Sequence, residues 1–166
     1  LSPEPIEPGE ARLHTRRHLL IGWWSVFGFG ILGLLLELLH GFKIGAYLDA
    51  GNETRRLMWT LAHAHGTLLG LVHIAFAATL GISPIAEGKR RLVSGTLAGA
   101  SVLLPGGFFL GGVQFYSGDP GIGIAVVPAG AVLLFSAAWT LARAVSRADD
   151  SSTGQKPTRP RGPGRA

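Results

Sequence analysis

The chain has no cysteine among its 166 residues. That excludes disulfides, thiolate metal sites and cysteine nucleophiles. Charge is scarce as well: 15% of residues are Asp, Glu, Lys or Arg, against about 25% in an ordinary soluble domain. The deficit is uneven. Charges collect at the two ends and in two short connections, and four apolar runs lie between them, each near the ~20 residues that carry a helix across a bilayer core. No nucleophile–base constellation and no nucleotide motif is present. The glycines of "PGGFFLGG" sit inside an apolar run with no Lys-Ser or Lys-Thr after them, so they read as packing residues rather than a phosphate loop. The opening "LSPEPIEPGEARLHTRRH" lacks the layout of a signal peptide, because its apolar run comes too late and is too long.

What is there predicts an all-α integral membrane protein, a four-transmembrane-helix bundle. Residues 1–16, rich in Pro and Glu, are expected to be extended. Residues 17–146 form the membrane domain, with helices at about 17–42, 55–82, 90–116 and 121–146. Asn52 or Thr54 is placed to cap the second helix. Pro105-Gly106-Gly107 predicts a kink in the third, and "SGDPG" at 117–121 is turn chemistry. Pro128 falls in the first half of the fourth helix. The tail 147–166 is polar, basic and Pro/Gly-rich, and reads as disordered.

Orientation follows from the basic residues. Of the 15 Lys and Arg, only Lys43, Arg55 and Arg56 fall on one side of the four-span topology, and the other twelve fall on the side of the termini. The positive-inside rule then places both termini in the cytoplasm, as in a bacterial inner membrane. The isoelectric point near 10.4 is accounted for by a basic tail beside anionic lipid, at roughly 1 kcal/mol per basic residue near the surface, so the expected partner is the bilayer and not nucleic acid. Many small residues on the third and fourth helices suit packing against other membrane subunits or a second copy. Trp23, Trp24, Trp59 and Trp139 read as interface anchors.

The stretch "LAHAHGTLLGLVHIAFA" (Leu61–Ala77) places three histidines in an apolar run. The first helix ends, and the second begins, on the outer side. Glu37 and His63 therefore share a depth, about 9 and 10 Å inside the edge marked by Lys43 and Arg56 at ~1.5 Å per residue, with His40 a turn nearer the edge. Glu37 and His40, three residues apart, lie on one helix face. Glu-x-x-His is also the spacing of di-iron bundles, but it occurs once in this chain and no other helix offers a buried carboxylate, so a mononuclear site is the candidate: Glu37 and His40 with His63 or His65 as metal ligands. His63 and His65 point about 200° apart at ~100° per residue. Gly66, Gly70 and Ala77 form a stripe where another helix can approach. His63 and His73 flank that stripe, and His65 faces a different neighbour. His73 lies ~15 Å further along the axis, too far to join the same ion, and is assigned to a separate inter-helix contact or a haem position. Gln114, Tyr116 and Asp119 are expected at the outer rim as hydrogen-bond partners, with Tyr47 and Asp49 as a cover.

"HAHGTLLGLV" resembles the His-x-His-x-x-x-Leu-Gly segments of small membrane relatives of haem–copper oxidase subunit I. The match covers ten residues and falls on His63, His65, Leu69 and Gly70. It implies that His63 or His65 serves haem or copper. The expected function is therefore a small membrane protein whose Glu/His cluster near the outer face binds haem b or a copper, zinc or iron ion in a redox or electron-transport role, with His63, His65 and His73 as cofactor-binding candidates. Two other readings stay open: proton transfer without a cofactor, and a structural Glu–His network in an accessory subunit of a larger complex.

Overall fold

The structure, a computed structural model, describes residues 8–153. It contains α1 (Pro8–Gly41), the single-turn α2 (Gly45–Leu48), α3 (Glu53–Ile82), α4 (Glu87–Val113) and α5 (Val127–Thr153). The strands β1 (Phe115–Tyr116) and β2 (Asp119–Pro120) form an antiparallel hairpin, and 3-10 turns at Ala50–Asn52 and Ile122–Val126 lead into α3 and α5. The four long helices are long and apolar enough to cross a membrane. Their faces away from the bundle carry large apolar side chains such as Trp23, Trp24, Phe27, Phe135 and Trp139. An apolar exterior of this kind is compatible with a hydrocarbon surround.

Helix ends follow local chemistry. α1 starts at Pro8, so residues 8–16 are helical and not extended; residues 1–7 lie outside the described part. A first-turn proline has the right φ and lacks only an N–H that would be unpaired there. α4 ends at Val113, three residues earlier than expected, because the chain turns back at Ser117 and Gly118. Both have positive φ, 51° and 91°, as a two-residue hairpin turn of this type requires. α5 begins at Val127, so Pro128 again falls in a first turn, and α5 runs on to Thr153 where a disordered tail was expected; residues 154–166 lie outside the described part. α4 runs unbroken through Pro105. Asn52 occupies the cap position of α3 but does not cap it. Its amide donates to the carbonyls of Gly45 (3.3 Å) and Ala46 (3.2 Å) instead.

The long helices pack antiparallel, each chiefly against the next in sequence: α1 on α3, α3 on α4, α4 on α5. The apolar core lies between the last three, around Leu69, Phe76, Val93, Leu97, Ala100, Leu104 and Ala137. α1 joins through the expected small-residue stripe of α3. A Cβ on Gly22 would lie 2.8 Å from the carbonyl oxygen of Gly70, and one on Gly70 would lie 2.9 Å from that of Gly22, so glycine is required on both sides. The 42–52 link and the hairpin share one end of the bundle, the hairpin end; the opposite one is the terminal end. Arg55 ties the hairpin end together. It donates to Ala46 O (2.9 Å) and Gly112 O (3.2 Å), and its guanidinium lies over the rings of Trp59 and Phe115. Trp59 is held between Tyr47 and Phe109 and donates to Phe109 O, so it is a packing element rather than a lipid anchor.

Candidate functional site

Two groups of polar side chains interrupt the apolar bundle. The first opens at the hairpin end. Glu37 and His40 of α1, Thr60 and His63 of α3, and Tyr47 of the link line one cavity of about 660 Å³, with Gly30, Gly33, Leu34 and Leu36 completing the wall. The shared depth read from topology thus brings Glu37, His40 and His63 to one space. The register is about one turn off. Gly33, not Glu37, lies under the His63 ring, and a Cβ there would strike it. His63 Nδ1 donates to Phe29 O at 2.6 Å, a backbone partner that no side-chain pattern discloses. With Nδ1 protonated, Nε2 carries the lone pair.

His65 does not join this cavity. Its ring lies against Phe108 of α4, 4.8 Å between centroids, and Nδ1 donates to Leu61 O at 2.8 Å. His65 thus faces a different neighbour from His63, as expected, and does not line the cavity. Among the described residues no three His, Asp or Glu side chains converge on one point that could hold an ion. Tyr47 is buried and covers the cavity as expected, whereas Tyr116, 78% exposed on the hairpin, points away. Gln114, Asp49 and Asp119 are not among the lining residues.

The second group is buried in the terminal half. His18 of α1 and His73 of α3 are both 0% exposed. Their Nδ1 atoms are 2.6 Å apart, His18 Nε2 is 2.8 Å from Ser94 Oγ, and His73 Nε2 is 2.7 Å from Ser101 Oγ. Phe76 meets the His18 ring edge-on. His73 therefore makes the separate inter-helix contact expected of it. The haem alternative does not fit this arrangement. An ion held between the two rings needs nitrogens roughly 4 Å apart, two bonds of ~2.0 Å each, and both outer nitrogens already face hydroxyls. The gap as it stands holds a proton.

Sequence reasoning did not single out His18, Ser94 or Ser101. His18 follows Arg16 and Arg17, a context that reads as the membrane edge, and serines in helices usually bond their own backbone. One signal was available: Ser94 and Ser101 are seven residues apart, so they share a face of α4. The chain matches no family model, no curated protein and no solved structure.

Proposed function

We propose that the protein is a small integral membrane protein of a bacterial inner membrane, with cytoplasmic termini, that holds one transition-metal ion in the outward cavity of Glu37, His40 and His63. The observation that carries this reading is one carboxylate and two imidazoles, from facing helices, lining a single cavity in which the Nδ1–H of His63 is already committed to Phe29 O. A ligating histidine characteristically spends its other N–H on such an acceptor, which fixes both tautomer and ring orientation. Two imidazoles and a carboxylate are the donor set of mononuclear sites that keep a position open for water or substrate. Glu37 and His40 line the cavity without converging on His63, so binding draws these two side chains inward. Copper or iron would give the site redox chemistry, and zinc a Lewis acid only. A b-type haem in this cavity would announce itself by a Soret band in the purified protein.

The test is stripping the detergent-solubilised protein of metal and titrating it with Zn²⁺ and Cu²⁺ by calorimetry. One ion per chain is expected. Glu37→Gln and His63→Ala should each weaken binding at least ~10-fold, the scale of losing even an outer partner of a metal, whereas His65→Ala should change it less than twofold. Failure of the parent protein to bind either ion, or equal weakening by His65→Ala, overturns the reading.

The orientation has its own test. A single cysteine at Ala50 should react with a membrane-impermeant maleimide added outside intact cells, and one at Thr158 only after lysis. The reverse pattern would invert the topology.

A second reading, an accessory subunit or homo-oligomer, is favoured by α1. Among the long helices it packs closely on α3 alone, and a Cβ at Gly28 or Gly30 would meet nothing within 4 Å, leaving a surface another helix can approach closely. Native mass spectrometry from a mild detergent would show a mass above 17.4 kDa if this is correct.

A further inference from the structure

The geometry points to a proton relay through the terminal half of the bundle, formed by Ser94, His18, His73 and Ser101. Its hydrogen positions follow from partners. Ser101 Oγ donates to Leu97 O at 2.9 Å, so it accepts from His73 Nε2–H. His73 Nδ1 then carries the lone pair and accepts from His18 Nδ1–H. His18 Nε2 is left as an acceptor for the Ser94 hydroxyl. Every buried polar atom of the four side chains is satisfied with both rings neutral, and the chain runs in one direction through three helices.

The three hydrogen bonds between the two serines can also run in reverse, with Ser101 then giving up its bond to Leu97 O. A proton arriving at Ser94 Oγ displaces the hydroxyl proton to His18 Nε2. The Nδ1 proton of His18 passes to His73 Nδ1, and the Nε2 proton of His73 passes to Ser101 Oγ, which gives its own to a water at the inner end. One proton enters and one leaves, no heavy atom moves, and neither ring holds a charge before or after. Hydroxyl rotation and ring flips, or a proton returning by the same route, reset the chain.

The ends of the chain suit this role. Ser94 is two turns from Glu87, the first residue of α4, and the buried Arg90, ion-paired to Glu87, lies one turn from Ser94 on the terminal side. The charged or titratable groups nearest His18 on α1 are His14 and Arg17, and α3 contributes none but His73 in this half. At the inner end, Pro105 lies four residues beyond Ser101 and has no N–H, so the Ser101 carbonyl lacks its in-helix donor and remains an acceptor beside the hydroxyl. The relay rests on residues outside the metal cavity, so it stands or falls apart from the proposed function.

The test uses the full chain, ¹⁵N-histidine labelled, in lipid nanodiscs. A ¹⁵N–¹⁵N coupling between His18 Nδ1 and His73 Nδ1 is expected. Ser101→Ala removes the acceptor of His73 Nε2–H and should drive the pair to the reversed tautomers, His18 Nε2–H and His73 Nδ1–H. Ser94→Ala should hold the forward ones. In D₂O the His73 ring proton of the parent should exchange at least tenfold faster than the backbone amide of Phe76, and Ser94→Ala should slow that exchange at least tenfold. A purely structural pair would exchange with the Phe76 amide by local opening, at a rate Ser94→Ala does not slow; that result overturns the relay, as does absence of the coupling.

Discussion

Replacing Gly70 by valine should separate α1 from α3 and cost more stability than loss of either buried histidine. The contact that forbids a side chain at Gly70 is backbone: the Gly22 carbonyl oxygen lies 2.9 Å from where its Cβ would be, with Ser25 Cβ and Val26 Cγ2 each at 3.0 Å. A flexible side-chain end could give way, but a helix carbonyl cannot move without its helix. Overpacking a tight contact costs about 1–3 kcal/mol, occasionally more. In this bundle the displaced element also carries His18 into its partner and Phe29 onto Gly66, so those contacts loosen together. Gly22→Val should behave alike, because its Cβ would meet the Gly70 carbonyl oxygen at 2.8 Å and Ile74 Cγ1 at 2.6 Å. Gly28→Ala is the control: its Cβ would enter open space, and it should be neutral or gain up to about 1 kcal/mol of helix propensity. Unfolding in SDS titrations of the purified protein reads all three. If Gly70→Val unfolds with the parent, the two helices do not meet at these glycines.

The buried histidine pair should show the second-largest effect, and its signature is non-additivity. His73→Leu leaves the His18 Nδ1–H without an acceptor in a site that is 0% exposed. His18→Leu strands the Ser94 hydroxyl and the His73 Nδ1 lone pair. An unsatisfied buried group costs about 1–3 kcal/mol. Hydrogen bonds between membrane helices average nearer ~0.6 kcal/mol, with a maximum near ~1.7, because the separated helices find other partners. The lower range applies if α1 gains water or lipid headgroup contacts on opening, the upper if it stays packed. In either case the double replacement removes both Nδ1 orphans at once and leaves only the Ser94 hydroxyl, and apolar pairs of similar shape can be nearly neutral. The double variant should therefore be at least ~1 kcal/mol more stable than the sum of the singles predicts, within the usual range for contacting residues. Strict additivity would mean that the two rings do not share a proton.

The limits of sequence reading are visible in particular residues. Gly66, Gly70 and Ala77 were legible as a docking stripe because the helical period places them on one face, and α1 does lie there. His65 was legible as pointing away from His63 for the same reason. Glu37, His40 and His63 were brought together by topology, since antiparallel spans joined by a short link share depth. The register within that depth was not legible. It is set where Gly22 and Gly70 let two backbones touch, and it slides Glu37 about a turn past His63. The boundaries missed at Pro8 and Val127 both involve a proline in a helix's first turn: residues 1–16 read as extended because they are rich in Pro and Glu, and Pro128 reads as lying inside a helix already begun at 121.

By itself, the sequence determined that the chain builds four apolar helices with its polar groups confined to a few turns, because hydrocarbon leaves every backbone group to be satisfied within its own helix and makes each intramembrane imidazole or carboxylate conspicuous. Only the tertiary structure decided which of those groups meet. His18 and His73 are 55 residues apart, and nothing in the pattern of either helix names the other. Their contact depends on the close approach at Gly22 and Gly70 and on two serines of α4 arriving at both ends of the pair. A hydrogen bond needs its partners within about 3 Å, a precision that helical periodicity cannot supply and that helix packing alone provides.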